Sequence, residues 1–210
     1  YMDICKYAKK NKINIIYHEI DVDYFIPSNE KKENIITTIC VYIDKVTFIQ
    51  KGIDIFIKSA EYFPNYKFLV IGEINKHDKE LNDIIKNSPK NVIFTNRFIS
   101  EEEKLKYLQE SKIYVQASAH EGFGIAVAEA MACECIPIGS MYTSLWEVIG
   151  DAGYLIKYGD LEQLITAISL AIDNPFLGKS ARERIIKNFS RKSINRSEKL
   201  FQIINSLIKE

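Results

Sequence analysis

The sequence predicts an α/β fold, a Rossmann-like, doubly wound parallel sheet covered by helices on both faces. Three observations carry this. Short apolar runs rich in β-branched residues recur, among them 35–43 (IITTICVYI), 68–71 (FLVI) and 113–117 (IYVQA). Segments with helical spacing lie between them, such as Ile53, Phe56, Ile57, Ala60 and Phe63. The two kinds alternate from about residue 35 to 172. Continuous apolar runs suit strands buried on both faces, and strand–helix alternation builds βαβ units.

Taken in order, residues 1–33 read as a lead-in. Residues 6–12 are polar and basic, 13–17 (INIIY) a short strand, and 27–33 (PSNEKKE) a loop by composition. Strands are expected at 35–43, 68–71 with a turn at Gly72, 92–94, 113–117, 136–139 and 153–156. Residues 44–50 read as a long loop. Helices are expected at 53–63, around Leu81, Ile84 and Ile85, and from the capping-box pair Ser100 and Glu103 through Leu105 and Leu108. Further helices fall at 125–132, 161–172, 178–189 and 191–208.

Bulk properties exclude several classes. Lys+Arg 28 and Asp+Glu 28 cancel, so no overall field would hold nucleic acid. No apolar run approaches the ~20 residues that span a bilayer. The opening Tyr1-Met2-Asp3-Ile4 carries no signal-peptide core and reads as part of a longer protein. Cys5 and Cys40 are isolated, and Cys133 and Cys135 are one residue apart, without zinc or redox spacing. Reduced, half-buried thiols in a cytoplasmic protein are the expectation.

Chemistry concentrates after the fourth strand. Ser118-Ala119-His120-Glu121-Gly122-Phe123-Gly124 opens the helix that starts at Ile125. Two glycines around an aromatic bring backbone N–H groups close to a ligand, and a helix N-terminus behind them favours a diphosphate. That helix is apolar except at Glu129, where a lone carboxylate is costly without a partner.

Glu121 and Glu129, eight positions apart within EGFGIAVAEAMAC, resemble the hallmark of the GT4-like group of retaining glycosyltransferases with the GT-B fold. Lys51-Gly52-Ile53-Asp54, the strand 68–72, the segment 146–155 and the linker-like 18–27 resemble the same family, so the likeness spans about 15–172. It implies the C-terminal, donor-binding lobe of a GT-B enzyme. Residues 1–33 become the interdomain linker and a remnant of the N-terminal lobe, 34–189 the nucleotide-sugar-binding domain, and 190–210 a C-terminal helix.

By that resemblance Lys51 contacts the donor pyrophosphate, Glu121 the transferred sugar and Glu129 the ribose. Gly122, Phe123, Gly124 and Ile125 line sugar and phosphates with their backbone, and no metal is needed. The family's Gly-Arg at the end of the first strand is missing. Lys45 is the substitute cation, with Arg97 a further candidate. The implied partners are a nucleotide-sugar donor and an N-terminal acceptor-binding lobe, with peripheral association at the cytoplasmic face of a membrane in the longer enzyme.

Plainer roles stand beside these. Lys51 alone would be a solvated loop lysine, Glu121 a helix cap, and Glu129 an internal ion-pair partner. His120 is either beside the site or simply exposed, and Glu147 either near the base or ribose or solvated on a helix face. His18 and His77 read as surface residues, Trp146 as core packing, and the closing helix as packing on a neighbour. Two rivals share the scaffold, a nucleotide-sugar epimerase and a non-catalytic binding module. No G-x-G-x-x-G follows the first strand, which disfavours a dinucleotide oxidoreductase.

Overall fold

A computed structural model describes residues 14–142 and 144–208. Six strands form one sheet: β1 (Glu33–Ile43), β2 (Lys67–Ile74), β3 (Val92–Phe94), β4 (Ser111–Gln116), β5 (Ile136–Ser140) and β6 (Tyr154–Ile156). All pair in parallel, in the order β3-β2-β1-β4-β5-β6. The helices are α1 (Lys45–Gln50), α2 (Ile53–Ser59), α3 (Lys79–Lys86), α4 (Glu101–Glu110), α5 (Ile125–Ala132) and α6 (Leu145–Ile149). They continue with α7 (Leu161–Asp173), α8 (Leu177–Phe189), α9 (Arg191–Ile194) and α10 (Arg196–Ile208). This is the doubly wound Rossmann-like fold that the strand–helix alternation predicts.

Two cores sandwich the sheet. On one face Ile36, Phe68 and Val70 pack with Phe56 of α2 and with Leu164 and Ile168 of α7. On the other, Tyr114 packs with Val127 and Met131 of α5, Val148 of α6 and Ile185 of α8. Both cores take whole side chains out of water, so each strand needs apolar residues on both sides, which is why the strands read as unbroken runs.

Several local expectations give way. Residues 44–50 are not a loop: Asp44 accepts from the Thr47 amide at 2.8 Å while Thr47 Oγ1 accepts from the Asp44 amide at 2.9 Å, and this capping box starts α1. Gly72 is not a turn. β2 runs through it, because an extra residue in β1 between Ile39 and Tyr42 is absorbed and pairing resumes at Glu73 and Ile74. The expected helix 53–63 tightens after Ser59 into a 3₁₀ turn, Ala60–Tyr62.

The single helix expected at 191–208 is two, broken at Asn195, whose φ of 46° lies in the left-handed region. Residues 14–17 form no strand; a parallel bridge forms only further on, from Ile20 to Ser190. Ile13, Cys5 and residues 6–12 lie outside the described residues. No helix among the described residues is long and apolar enough to cross a membrane.

Candidate functional site

In the strand order 3-2-1-4-5-6, chain direction diverges between β1 and β4, and ligands of such sheets sit at the carboxyl ends of these two strands. The segments after β1 and β4 meet there. Gly52, at φ 67°, sits so close to β4 that a Cβ would stand 2.3 Å from the Ala117 carbonyl oxygen. The Ala119 amide donates to the Gln50 carbonyl at 2.7 Å. This contact carries Lys51 to the loop of residues 118–124.

There the Lys51 ammonium donates to Glu121 Oε1 at 2.7 Å. Gln116 Nε2 and Ser118 Oγ donate to the same oxygen at 2.9 and 2.8 Å. Tyr114, fully buried, donates to Gln116 Oε1 at 2.9 Å and fixes which way the amide points. Three donors therefore converge on one carboxylate oxygen, and Glu121 Oε2 is left for the cavity that Glu121 lines. The reading of Glu121 as a helix cap does not hold, since Gly124 is the N-cap residue of α5 and no side chain caps it.

The loop is fixed on its other flank too. Ser140 Oγ donates to the Ser118 carbonyl, and Ser144 Oγ to that of Glu121 at 3.3 Å. Phe123 is buried in an aromatic cluster with Tyr17, His18 and Phe189. A cavity of about 1050 Å³ opens over this loop. It is lined by Gly122, Phe123, Gly124 and Ile125, by His120 and Glu121, by Ile15 to His18, and by Tyr142, Trp146 and Glu147.

The other expected site residues lie apart. Glu129 points from α5 toward α4, where Lys104 Nζ meets its Oε2 at 2.8 Å and also reaches Glu101 at 2.9 Å. Burial pushes the Glu129 carboxyl up, and the hydrogen bond and charge of Lys104 pull against that. Burial disfavours the charge on Lys104, yet its two carboxylates prevail and hold the ammonium above its usual range. Lys45 is drawn away from the loop into an ion pair with Glu80 of α3. Arg97 forks onto Glu103, with Nη1 to Oε2 at 3.0 Å, and is likewise turned toward α4.

Sequence reasoning missed several residues. Gln116 had one signal, a lone amide in an apolar strand. Trp146 is not core packing: it is 55% exposed on the cavity rim, because the five-residue α6 turns Leu145, Val148 and Ile149 inward and leaves Trp146 out. His18 is exposed as expected, but its ring lies 5.5 Å from that of Phe123 and it lines the cavity. Glu147 is partnered, its Oε2 accepting from the Tyr17 hydroxyl at 2.7 Å. Cys40, Cys133 and Cys135 are free and fully rather than half buried. Burial raises the Cys40 thiol although Lys51 opposes it. Among the described residues no three His, Cys, Asp or Glu side chains gather as a metal site.

A parallel sheet of this order, with a glycine loop and a braced carboxylate at the switch point, is a Rossmann-like lobe of the kind found in GT-B folds. Solved structures share that fold. The C-terminal domain of a glycosyl transferase group 1 family protein (LpcC) from Francisella tularensis matches at TM-score 0.68 and 22% identity, over 81% of this chain and 98% of that one. HepE of Anabaena, solved in complex with UDP and glucose, matches at TM-score 0.79 and 18% identity, over 99% and 60%.

Residues 26–192 match the family described as glycosyl transferases group 1, and the chain belongs to that family. It is 31% identical over 147 residues to the alpha-galactosylglucosyldiacylglycerol synthase of Streptococcus pneumoniae, over 68% of this chain and 38% of that protein. The chain spans about half the length of the curated relatives it matches.

Proposed function

We propose that this chain is the donor-binding lobe of a retaining glycosyltransferase of the GT4 type, which moves a sugar from a nucleoside diphosphate to an acceptor held by a second lobe. The observation that carries this reading is the bracing of Glu121. A carboxylate whose one oxygen is fixed by Lys51, Gln116 and Ser118 offers the other to sugar hydroxyls in a defined direction. Lys51 keeps N–H groups for a diphosphate, and the amides of Gly122, Phe123, Gly124 and Ile125 stand at the start of α5, which no side chain caps. As the nucleoside diphosphate leaves, its growing negative charge meets donors already in position.

In this reading Glu129 serves the ribose while sharing its charge with Lys104, and neither Lys45 nor Arg97 is a phosphate ligand in the arrangement described. No metal is required, since Lys51 and the backbone supply the positive field. The lobe works at the cytoplasmic side, joined to its acceptor-binding partner through the segment around 14–26. The relation of HepE to UDP favours a uridine nucleotide as the first donor to try.

Calorimetric titration of the chain with UDP, GDP, ADP and their sugars tests this. The expected outcome is binding of one nucleotide family, with Glu121→Gln weakening the nucleotide sugar about tenfold and leaving the bare nucleotide unchanged. Absence of binding by every nucleotide and nucleotide sugar refutes the proposal.

A further inference from the structure

The cavity over the loop holds more than the proposed donor needs. Its lining takes in the loop 120–126, where the proposed donor lies, and extends toward α6 and residues 15–18; neither Lys51 nor Glu129 is part of it. A donor held along that loop therefore enters this space only on its loop side, and the part lined by α6 and residues 15–18 is left over. At about 1050 Å³ it slightly exceeds the range that takes a whole small-molecule ligand, about 300–1,000 Å³.

Two exposed aromatic side chains are part of its lining. Trp146 is 55% exposed and Tyr142 is 65% exposed, and both line the cavity. Leaving two large rings in water forgoes the burial that such side chains normally bring. Around them stand groups that make hydrogen bonds: Glu147, whose Oε1 remains after Tyr17 takes Oε2, with His120 and His18.

A ring with an apolar face and a rim of hydroxyls matches this lining. A pyranose has C–H bonds on its faces, which stack on aromatic rings, and hydroxyls at its edge for carboxylate and imidazole. We infer that Trp146 and Tyr142 form a stacking platform for a pyranose ring of the acceptor, beside the donor sugar at Glu121. The inference rests on the donor-lobe reading, and it adds that the acceptor is a carbohydrate and is held in part by this lobe. It also gives the segment after β5 a direct part in choosing the acceptor.

Trp146 is the sole tryptophan of the chain, so its emission reports on the platform alone. The experiment titrates the protein, without nucleotide, with the methyl α-glycosides of glucose, galactose and mannose, and follows fluorescence and acrylamide quenching. The expected result is a saturable change and lower quenching with at least one glycoside. Tyr142→Ala should weaken that glycoside about fivefold while calorimetric affinity for UDP or GDP stays the same. No saturable change with any glycoside overturns the inference, as does a Tyr142→Ala variant with unaltered glycoside affinity. Nucleotide binding without glycoside response confines the failure to the platform. Glycoside response without any nucleotide binding removes the acceptor assignment together with the donor-lobe reading.

Discussion

At Glu129 a single residue answers to two demands. Its carboxylate sits in an apolar helix, 7% exposed, and Lys104 is the cation that offsets its burial. Removing one member of such a pair costs more than the pair itself contributes, because the other charge is left without a partner. Lys104→Met is therefore expected to lower unfolding free energy by about 3 kcal/mol at neutral pH. Burial already holds the Glu129 carboxyl above its usual value, so the folded state takes up its proton more readily than the unfolded chain. The loss should shrink as pH falls, and urea titrations of both proteins at several pH values check this. Sequence alone shows Glu129 as a costly carboxylate, but its partner lies 25 positions earlier on another helix and carries no signal of pairing.

Helix starts were the most legible elements, because their signals are local. The pair Ser100 and Glu103 forms the capping box that its spacing predicts, with the Glu103 amide 3.1 Å from Ser100 Oγ. Arg97, which the sequence offered as a phosphate ligand, instead braces this box. Its hydrogen bond first, then the Ser100 amide, pull the Glu103 carboxyl down from 4.5 to about 2. A depressed carboxylate stabilises the fold above its unfolded value and stops doing so as pH falls through the folded one. The stability difference between the protein and Glu103→Gln should thus be full at neutral pH and fade between about pH 4.5 and about pH 2. Thermal melts across that window measure it. The α1 box was missed for a related reason: Asp44 and Thr47 cap it without the glutamate that marks a box most plainly.

Across the whole molecule the chain's early and late segments are fastened together. Ile20 and Phe25 are buried with α8, the Ile20 amide donates to the Phe189 carbonyl at 2.8 Å, and Arg182 donates to the carbonyls of Val22, Phe25 and Ala132. One guanidinium thus joins residues 22–25, α8 and the end of α5. Arg182→Ala should speed amide hydrogen exchange at residues 20–25 by at least about tenfold and leave β1 and β4 protected. Equal protection in both proteins would show that apolar packing alone holds the segment. Fold class was readable because buried strands advertise themselves by composition, whereas the order of the strands was not. The packing of residues 14–26 was not, since it depends on contacts some 160 positions away. The Glu121 loop was readable by resemblance, whereas Tyr142 and Trp146 became visible only once the fold set them around one cavity, and Gln116 once it met Glu121.

The three donors on Glu121 Oε1 have an entropic consequence. A free glutamate side chain loses up to about 2 kcal/mol of rotamer freedom when it is fixed. Here folding has already absorbed that loss, through Lys51, Gln116 and Ser118. A ligand that meets Glu121 Oε2 finds an acceptor that no longer has to be ordered, and its affinity is not diminished by ordering it.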